Sequence, residues 1–201
     1  MANVIKNHMV FPTLINEFKF VADENLLKSI QELDIKGEMH SFPKQTENQN
    51  LNKLKIFEKL TNKILNTTKE VCEKYEYKYD KIEITNMWLN ISKKNVFFPP
   101  HSHSNNIFSG VWYPFEDTSK TPIMFQDPRP ACNIMIPYTF NRNPLNSNIT
   151  QFYPTKDMGL IFPSWLMHYV PSSLGNRISM SWNILLRGEY GNPNDLQNAY
   201  I

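Results

Sequence analysis

The 201-residue sequence holds five histidines, and two of them stand one residue apart in PPHSHSNNIFSGVWY, residues 99–113. Along an extended strand side chains alternate faces, so residues i and i+2 point the same way. If this segment is extended, His101 and His103 aim both imidazoles at one point. Neutral imidazole is the commonest protein ligand of transition metals, so such a pair can chelate one. An HxH pair by itself also fits an accident of a surface loop. A third imidazole is available at His168, between the apolar run Gly159–Phe162 and Tyr169-Val170-Pro171. The 67 residues that separate it from His101 are no obstacle in a sandwich, where a late strand returns beside an early one. His8 and His40 fall in the charged front section and are read as structural or solvent-exposed.

Nine residues beyond His168 the chain reads RISMSWN, residues 177–183. Alternation places Arg177, Ser179 and Ser181 on one face, and Ile178, Met180 and Trp182 on the other. A guanidinium turned into a sandwich is costly unless an anion neutralises it. Joined by a hydroxyl, it forms a fork for one carboxylate of a small organic acid. The plain alternative pairs Arg177 with an internal Asp or leaves it on the surface.

These residues need strands to hold them. From residue 81 the hydrophobic period is two. KIEITNMWLNI, FSGVWYPF, TPIMFQ, ACNIMIPY, ITQFYP, GLIFPSW and RISMSWNILL are seven short runs rich in β-branched and aromatic residues, separated by Pro, Asn, Asp or Gly clusters. Before residue 81, VFPTLINEFKF reads as a short strand. Asp23 caps a helix through ENLLKSIQELDI, and residues 36–50 read as a polar loop. LNKLKIFEKLTNKILNTTKEVCEKY carries Leu54, Phe57, Leu60, Ile64, Val71 and Tyr75 at helical spacing and reads as an amphipathic helix packed on a sheet. The expected architecture is a mainly β sandwich buttressed on one face by N-terminal α-helices. It divides into a helical front section (1–80), a β-sandwich core (81–187) and a C-terminal tail (188–201).

A formal net charge of +2 offers no electrostatic case for nucleic acid. Residues 1–95 hold fifteen of the 21 Lys and Arg and thirteen of the 19 Asp and Glu, so charge thins where aromatics accumulate. Cys72 and Cys132 form no CxxC pair and no disulfide framework. Without a secretory pattern at residue 1 or an apolar run of membrane-spanning length, a reducing cytoplasmic setting is the expectation. Trp88, Trp112, Trp165 and Trp182 are read as core, Asp127-Pro128-Arg129 as a structural pair, and residues 139–149 as a rim or lid.

Trp88-Leu89-Asn90, His101-Ser-His103, Ser109-Gly110-Val111-Trp112-Tyr113, Asp127-Pro128-Arg129, Gly159 through His168 and Arg177 through Asn183 stand in this order across residues 86–184. Together they resemble the Fe(II)- and 2-oxoglutarate-dependent dioxygenases, most of all a group of 2-oxoglutarate/iron oxygenases marked by HxH, SGVxY, FPSWxxH and RxSxSxN. The resemblance implies a double-stranded β-helix (a jelly-roll, cupin-like sandwich), with Fe(II), 2-oxoglutarate and dioxygen as cofactor and co-substrates, and ascorbate as an in-vitro reductant. It implies metal binding by His101, His103 and His168. It places the far carboxylate of 2-oxoglutarate on Arg177 with Ser179, and gives Tyr113 either a hydroxyl to that carboxylate or a core-filling role. Asn90 and Asn183 are candidates to orient cofactor or substrate. The implied reaction hydroxylates a C–H bond of a small-molecule or peptidyl substrate, peptidyl proline among them, and releases succinate and CO2.

The wider superfamily carries an Asp or Glu where this chain has His103. Three imidazoles leave such a site one negative charge short, which weakens Fe(II) binding and raises its potential. His103 is then a true ligand, or stands behind the metal-binding groups, or a distant acid such as Asp127 supplies the charge; its i+2 position favours the first. Two other functional classes remain open: a Zn(II)-binding, hydrolase-like sandwich without redox chemistry, and a non-catalytic relative that binds a small acid or a partner protein.

Overall fold

A computed structural model describes residues 5–36, 42–129 and 134–201. In chain order the elements are β1 (Asn16–Lys19), α1 (Glu24–Gln31), β2 (Ile35–Lys36), β3 (Lys44–Thr46), α2 (Glu58–Tyr75), β4 (Lys81–Ser92), β5 (Phe98–His101), β6 (Phe108–Trp112), β7 (Ile123–Gln126), β8 (Ile149–Phe152), β9 (Met158–Pro163), β10 (His168–Val170), β11 (Arg177–Arg187), β12 (Glu189–Tyr190) and β13 (Ala199–Tyr200). Seven strands form one sheet in the order β1-β9-β6-β11-β4-β3-β2, and four form a second, β5-β10-β7-β8. Every pairing between the named strands is antiparallel. Two facing antiparallel sheets of non-sequential strand order make a jelly-roll sandwich, as the mainly β expectation required.

The alternation read in β11 is realised. Met180, Trp182 and Ile184 point to a core shared with Met87 and Leu89 of β4 and with Leu26, Ile30, Leu60, Ile64 and Val71 of the two helices. The helices therefore cover the outer face of the seven-stranded sheet. Cys72 is buried in the same core, where desolvation pushes its thiol up to about 11 and keeps it unreactive. The inner face of the large sheet meets the small one through a second core of Val111, Tyr113, Phe125, Leu160 and Phe162. Gly110 is required where β6 crosses Trp182: a Cβ there would lie 2.3 Å from the indole and 2.7 Å from the Leu160 carbonyl oxygen.

Asp23 caps α1 by accepting from the Leu26 N–H at 2.9 Å, and its other oxygen accepts from Lys59 at the start of α2. Helix α2 begins later than its periodicity suggests. Leu54 sits in extended backbone (φ −83°, ψ 133°) between two 3-10 turns, 51–53 and 55–57, so regular helix starts only at Glu58.

Several expectations are corrected. The front section holds more strand than expected: β1 falls in the run read as a short strand, and β2 and β3 also join the large sheet. The segment read as a polar loop contains β3, which pairs with β4 through Gln45 and Asn90. Of the run ACNIMIPY, residues 131–133 lie outside the described residues, and residues 134–138 form no strand and expose Ile134, Met135, Ile136 and Tyr138. The C-terminal residues pair as β12 and β13. Two strands with no clear sequence signature, β5 and β10, carry two of the histidines. Among the described residues no helix is long and apolar enough to cross a membrane.

Candidate metal and 2-oxoglutarate site

His101 ends β5 and His168 begins β10, and the two residues are direct cross-strand partners. The pairing of β5 with β10 is irregular, the three-residue step from Phe98 to His101 in β5 facing the two-residue step from His168 to Val170 in β10. Pro99 and Pro100 lie in this irregularity, on an edge strand where a missing N–H is tolerated. The kink lets the His101 Nδ1–H donate to the Pro99 carbonyl at 2.7 Å. The Nδ1–H of His168 likewise donates to the Leu166 carbonyl at 2.9 Å. A proton fixed on Nδ1 leaves the Nε2 lone pair as the ligand atom on each ring, the usual support of metal-binding imidazoles.

His103 lies just beyond β5 and is fixed by its backbone N–H, which donates to the Ser164 carbonyl at 2.8 Å. That turn is itself braced: the Ser164 hydroxyl donates to Ser109 Oγ at 2.8 Å, and Ser109 donates to Asn183 Oδ1 at 2.7 Å. The Nε2 atoms of His103 and His168 are 3.3 Å apart, and ligand atoms of all three rings lie within 4.8 Å of one another. Two nitrogens bound to one ion at about 2.1 Å and at right angles would be about 3 Å apart. The three rings thus fit a single metal ion. They form the only such group of three among the described residues. Burial holds the imidazole of His103 down to about 4 and that of His168 to about 3, so both stay neutral and available as ligands.

The rings open onto a cavity of about 90 Å³ between the two sheets. Arg177 lines the same cavity and is 3% exposed. One guanidinium nitrogen donates to the Thr121 carbonyl at 2.8 Å, another to the Tyr113 hydroxyl at 2.7 Å, and Nε has no partner. The guanidinium also lies 5.0 Å from the centre of the Tyr113 ring. No carboxylate of the described residues is within ion-pair distance, so the alternative of an internal Asp partner is not realised. Tyr113 is fully buried, and desolvation is the main cause that raises its pKa and keeps the hydroxyl protonated. Because that hydroxyl accepts from Arg177, its own hydrogen is free to donate to a bound group.

Ser179 and Ser181 line the cavity on the same strand face as Arg177. Asn90 lines it too and is buried; its Oδ1 accepts from Gln45 at 2.9 Å and from the Trp88 indole at 3.1 Å, and its Nδ2 donates to Ser181 at 3.0 Å. Gln45 and Trp88 were not anticipated here. Trp88 is not core but lines the cavity, its ring centre 6.2 Å from that of His103. Gln45 carried no signal because its strand is three residues long. Trp112 and Trp182 are core as expected, whereas Trp165 is 56% exposed. Asp127 does not line this cavity and holds Arg129 at 2.6 Å. His8 is exposed, and His40 and Cys132 lie outside the described residues.

Residues 86–183 match the model of the family described as "Putative 2OG-Fe(II) oxygenase". No curated protein matches the sequence. Among solved structures, the chain is similar to a prolyl-4-hydroxylase of Pseudomonas putida (8% identity, 87% of this chain and 94% of that one, TM-score 0.59). It is similar also to HygX of Streptomyces hygroscopicus with nickel, 2-oxoglutarate and hygromycin B bound (11%, 94% and 92%, 0.59). A third is the viral collagen prolyl hydroxylase of Paramecium bursaria Chlorella virus-1 in its 2-oxoglutarate complex (14%, 85% and 94%, 0.55). At such identities these likenesses speak for the fold, and the family match, which spans all three histidines and Arg177, speaks for the chemistry. Residues 86–183 thus form a 2OG-Fe(II) oxygenase domain, and the protein is a 2-oxoglutarate-dependent non-haem iron oxygenase.

Proposed function

We propose that the protein is a hydroxylase whose iron is held by Nε2 of His101, His103 and His168, and whose 2-oxoglutarate is anchored by Arg177. The carrying observation is the buried guanidinium with no carboxylate partner and an unpaired Nε, lining the same cavity as three converging imidazoles. A buried charge in that condition is costly by itself and is compensated by an anionic ligand. Arg177 and the Tyr113 hydroxyl bind the far carboxylate of 2-oxoglutarate, and Ser179 adds a donor on the same strand face. The Nδ1–H bonds to Pro99 and Leu166 hold two rings with lone pairs inward. Asn90, tied to Gln45, Trp88 and Ser181, keeps the floor of the cavity rigid beneath the bound molecules. When bound, Fe(II) with 2-oxoglutarate supplies the reduction of dioxygen that drives C–H oxidation with release of succinate and CO2.

The substrate is a peptidyl residue such as proline, or a small molecule. Both classes are represented among the similar folds, in the prolyl hydroxylases and in HygX with hygromycin B. A Zn(II) hydrolase would have no use for Arg177. The test is anaerobic addition of Fe(II) and 2-oxoglutarate, with a visible charge-transfer band expected, followed by air and measurement of succinate. Arg177→Ala should weaken 2-oxoglutarate binding and leave metal binding intact. A wild-type protein that binds Fe(II) but shows no band and no succinate would refute the proposal.

A further inference from the structure

The charge of the cavity does not balance once its proposed contents are counted. Among its described lining residues Arg177 is the one cationic side chain and none is acidic. The three imidazoles are neutral ligands, two of them with Nδ1–H bound to backbone carbonyls. A divalent ion and one guanidinium bring three positive charges, whereas 2-oxoglutarate brings two negative ones. One positive charge is left over in a partly dry space, where water and distant acids compensate poorly. In the version with a carboxylate at position 103 the same count closes at zero.

Hydrogen-bond donors in the same cavity are also left over. Ser181 Oγ accepts from Asn90 and makes no further hydrogen bond among the described residues, so its hydrogen is available. The second hydrogen on Asn90 Nδ2 is likewise unused, and Ser179 has no hydrogen-bond partner among the described residues.

We infer that the loaded cavity contains a second anion site, in which a monoanion offsets the charge left by His103 and takes hydrogen bonds from Ser181 and Asn90. This inference rests on the proposed iron and 2-oxoglutarate occupancy of the same cavity. The occupant is either a singly charged acidic group of the substrate itself, a carboxylate or phosphate diester, or a small inorganic anion. Either one makes the substrate-bound site neutral, where a neutral substrate would leave it charged.

The experiment uses the full chain with Fe(II) and 2-oxoglutarate under anaerobic conditions. Azide, chloride, acetate and dimethyl phosphate are titrated singly at constant ionic strength, and the shift of the charge-transfer band is followed. Saturable binding is expected in the wild type. His103→Asp, which restores the missing charge, should weaken it by about tenfold or more, because one charge a few ångströms away outweighs that factor even after screening. Ser181→Ala, which leaves every proposed metal ligand in place, should weaken it several-fold. Binding of acetate or dimethyl phosphate assigns the site to an acidic group of the substrate; binding of azide or chloride alone assigns it to an inorganic ion. Equal anion affinity in wild type and His103→Asp, or no saturable shift in the wild type, overturns the inference. Absence of the charge-transfer band itself is a different failure, that of the proposed function.

Discussion

The two sheets that enclose the cavity are built differently. In the large one, β4 and β11 run for 12 and 11 residues, pair along nearly their whole length and bury Met87, Leu89, Met180, Trp182 and Ile184 against two helices. In the small one no strand exceeds four residues, and β5 is an edge strand with two prolines. The large sheet contributes Arg177, Ser179 and Asn90, the groups proposed for an organic acid, whereas the small sheet contributes His101 and His168. The contrast teaches that the main apolar core and the candidate metal-binding rings reside in separate parts of the molecule. Long, doubly covered strands stabilise the chain by burying apolar area. Short strands at an edge have room for a kink that turns rings inward.

Substitutions should therefore separate the two properties. The largest effect is expected from Trp182→Ala: this fully buried side chain leaves a cavity costing about 3–5 kcal/mol. Thermal unfolding should show a fall of roughly 6–20 °C, with metal affinity unchanged in the protein that remains folded. A matching loss of metal affinity in the folded fraction would break the distinction between the sheets.

His168→Ala is the converse. Metal affinity, by titration with Fe(II) or Co(II), should drop more than about a hundredfold, since losing only the support of a ligand costs 10–100-fold. The melting temperature of the metal-free protein should move by no more than about 4 °C.

Acid should act through the small sheet. The folded-state pKa values of His103 and His168, about 4 and about 3, lie below the ordinary value of 6.5. Between these limits the unfolded chain binds more protons, so the stabilising contribution is complete above about pH 6.5 and is lost as pH falls toward 4. Melting of the metal-free protein at stepped pH should show this decline, and His168→Ala should make it shallower. A metal-loaded sample should resist unfolding until protons displace the ion.

The smallest effect is expected at the helical cover. Asp23→Ala removes the cap of α1 and should cost about 1 kcal/mol in denaturant unfolding. The Asp23–Lys59 ion pair adds little, because both side chains are largely solvated. Neither metal nor 2-oxoglutarate affinity should follow this change.

What could be read from the chain follows the same division. The period-two runs of β4, β6, β9 and β11 show in sequence because each strand has one face fixed by a core, and the faces of Arg177 and Met180 follow from it. His101, His103 and His168 were also legible, since imidazoles are scarce here and their spacing is specific. The strands that carry two of them were not. A three-residue strand and a Pro-Pro strand lack a period, and form only because neighbouring strands supply their hydrogen-bond partners. The polar neighbour Gln45 was missed for a related reason: its hydrogen bond to Asn90 joins strands 45 residues apart in the chain.

Sequence by itself determined the alternating faces, the helical cover and the inventory of chemical groups, because each depends on residue type and local spacing. Only the tertiary structure decided that three rings converge within 4.8 Å, that Arg177 has no acidic partner, and that no acid of the described residues shares the cavity. Those are relations between segments separated by tens of residues. They are set by strand register and burial, which no local pattern encodes.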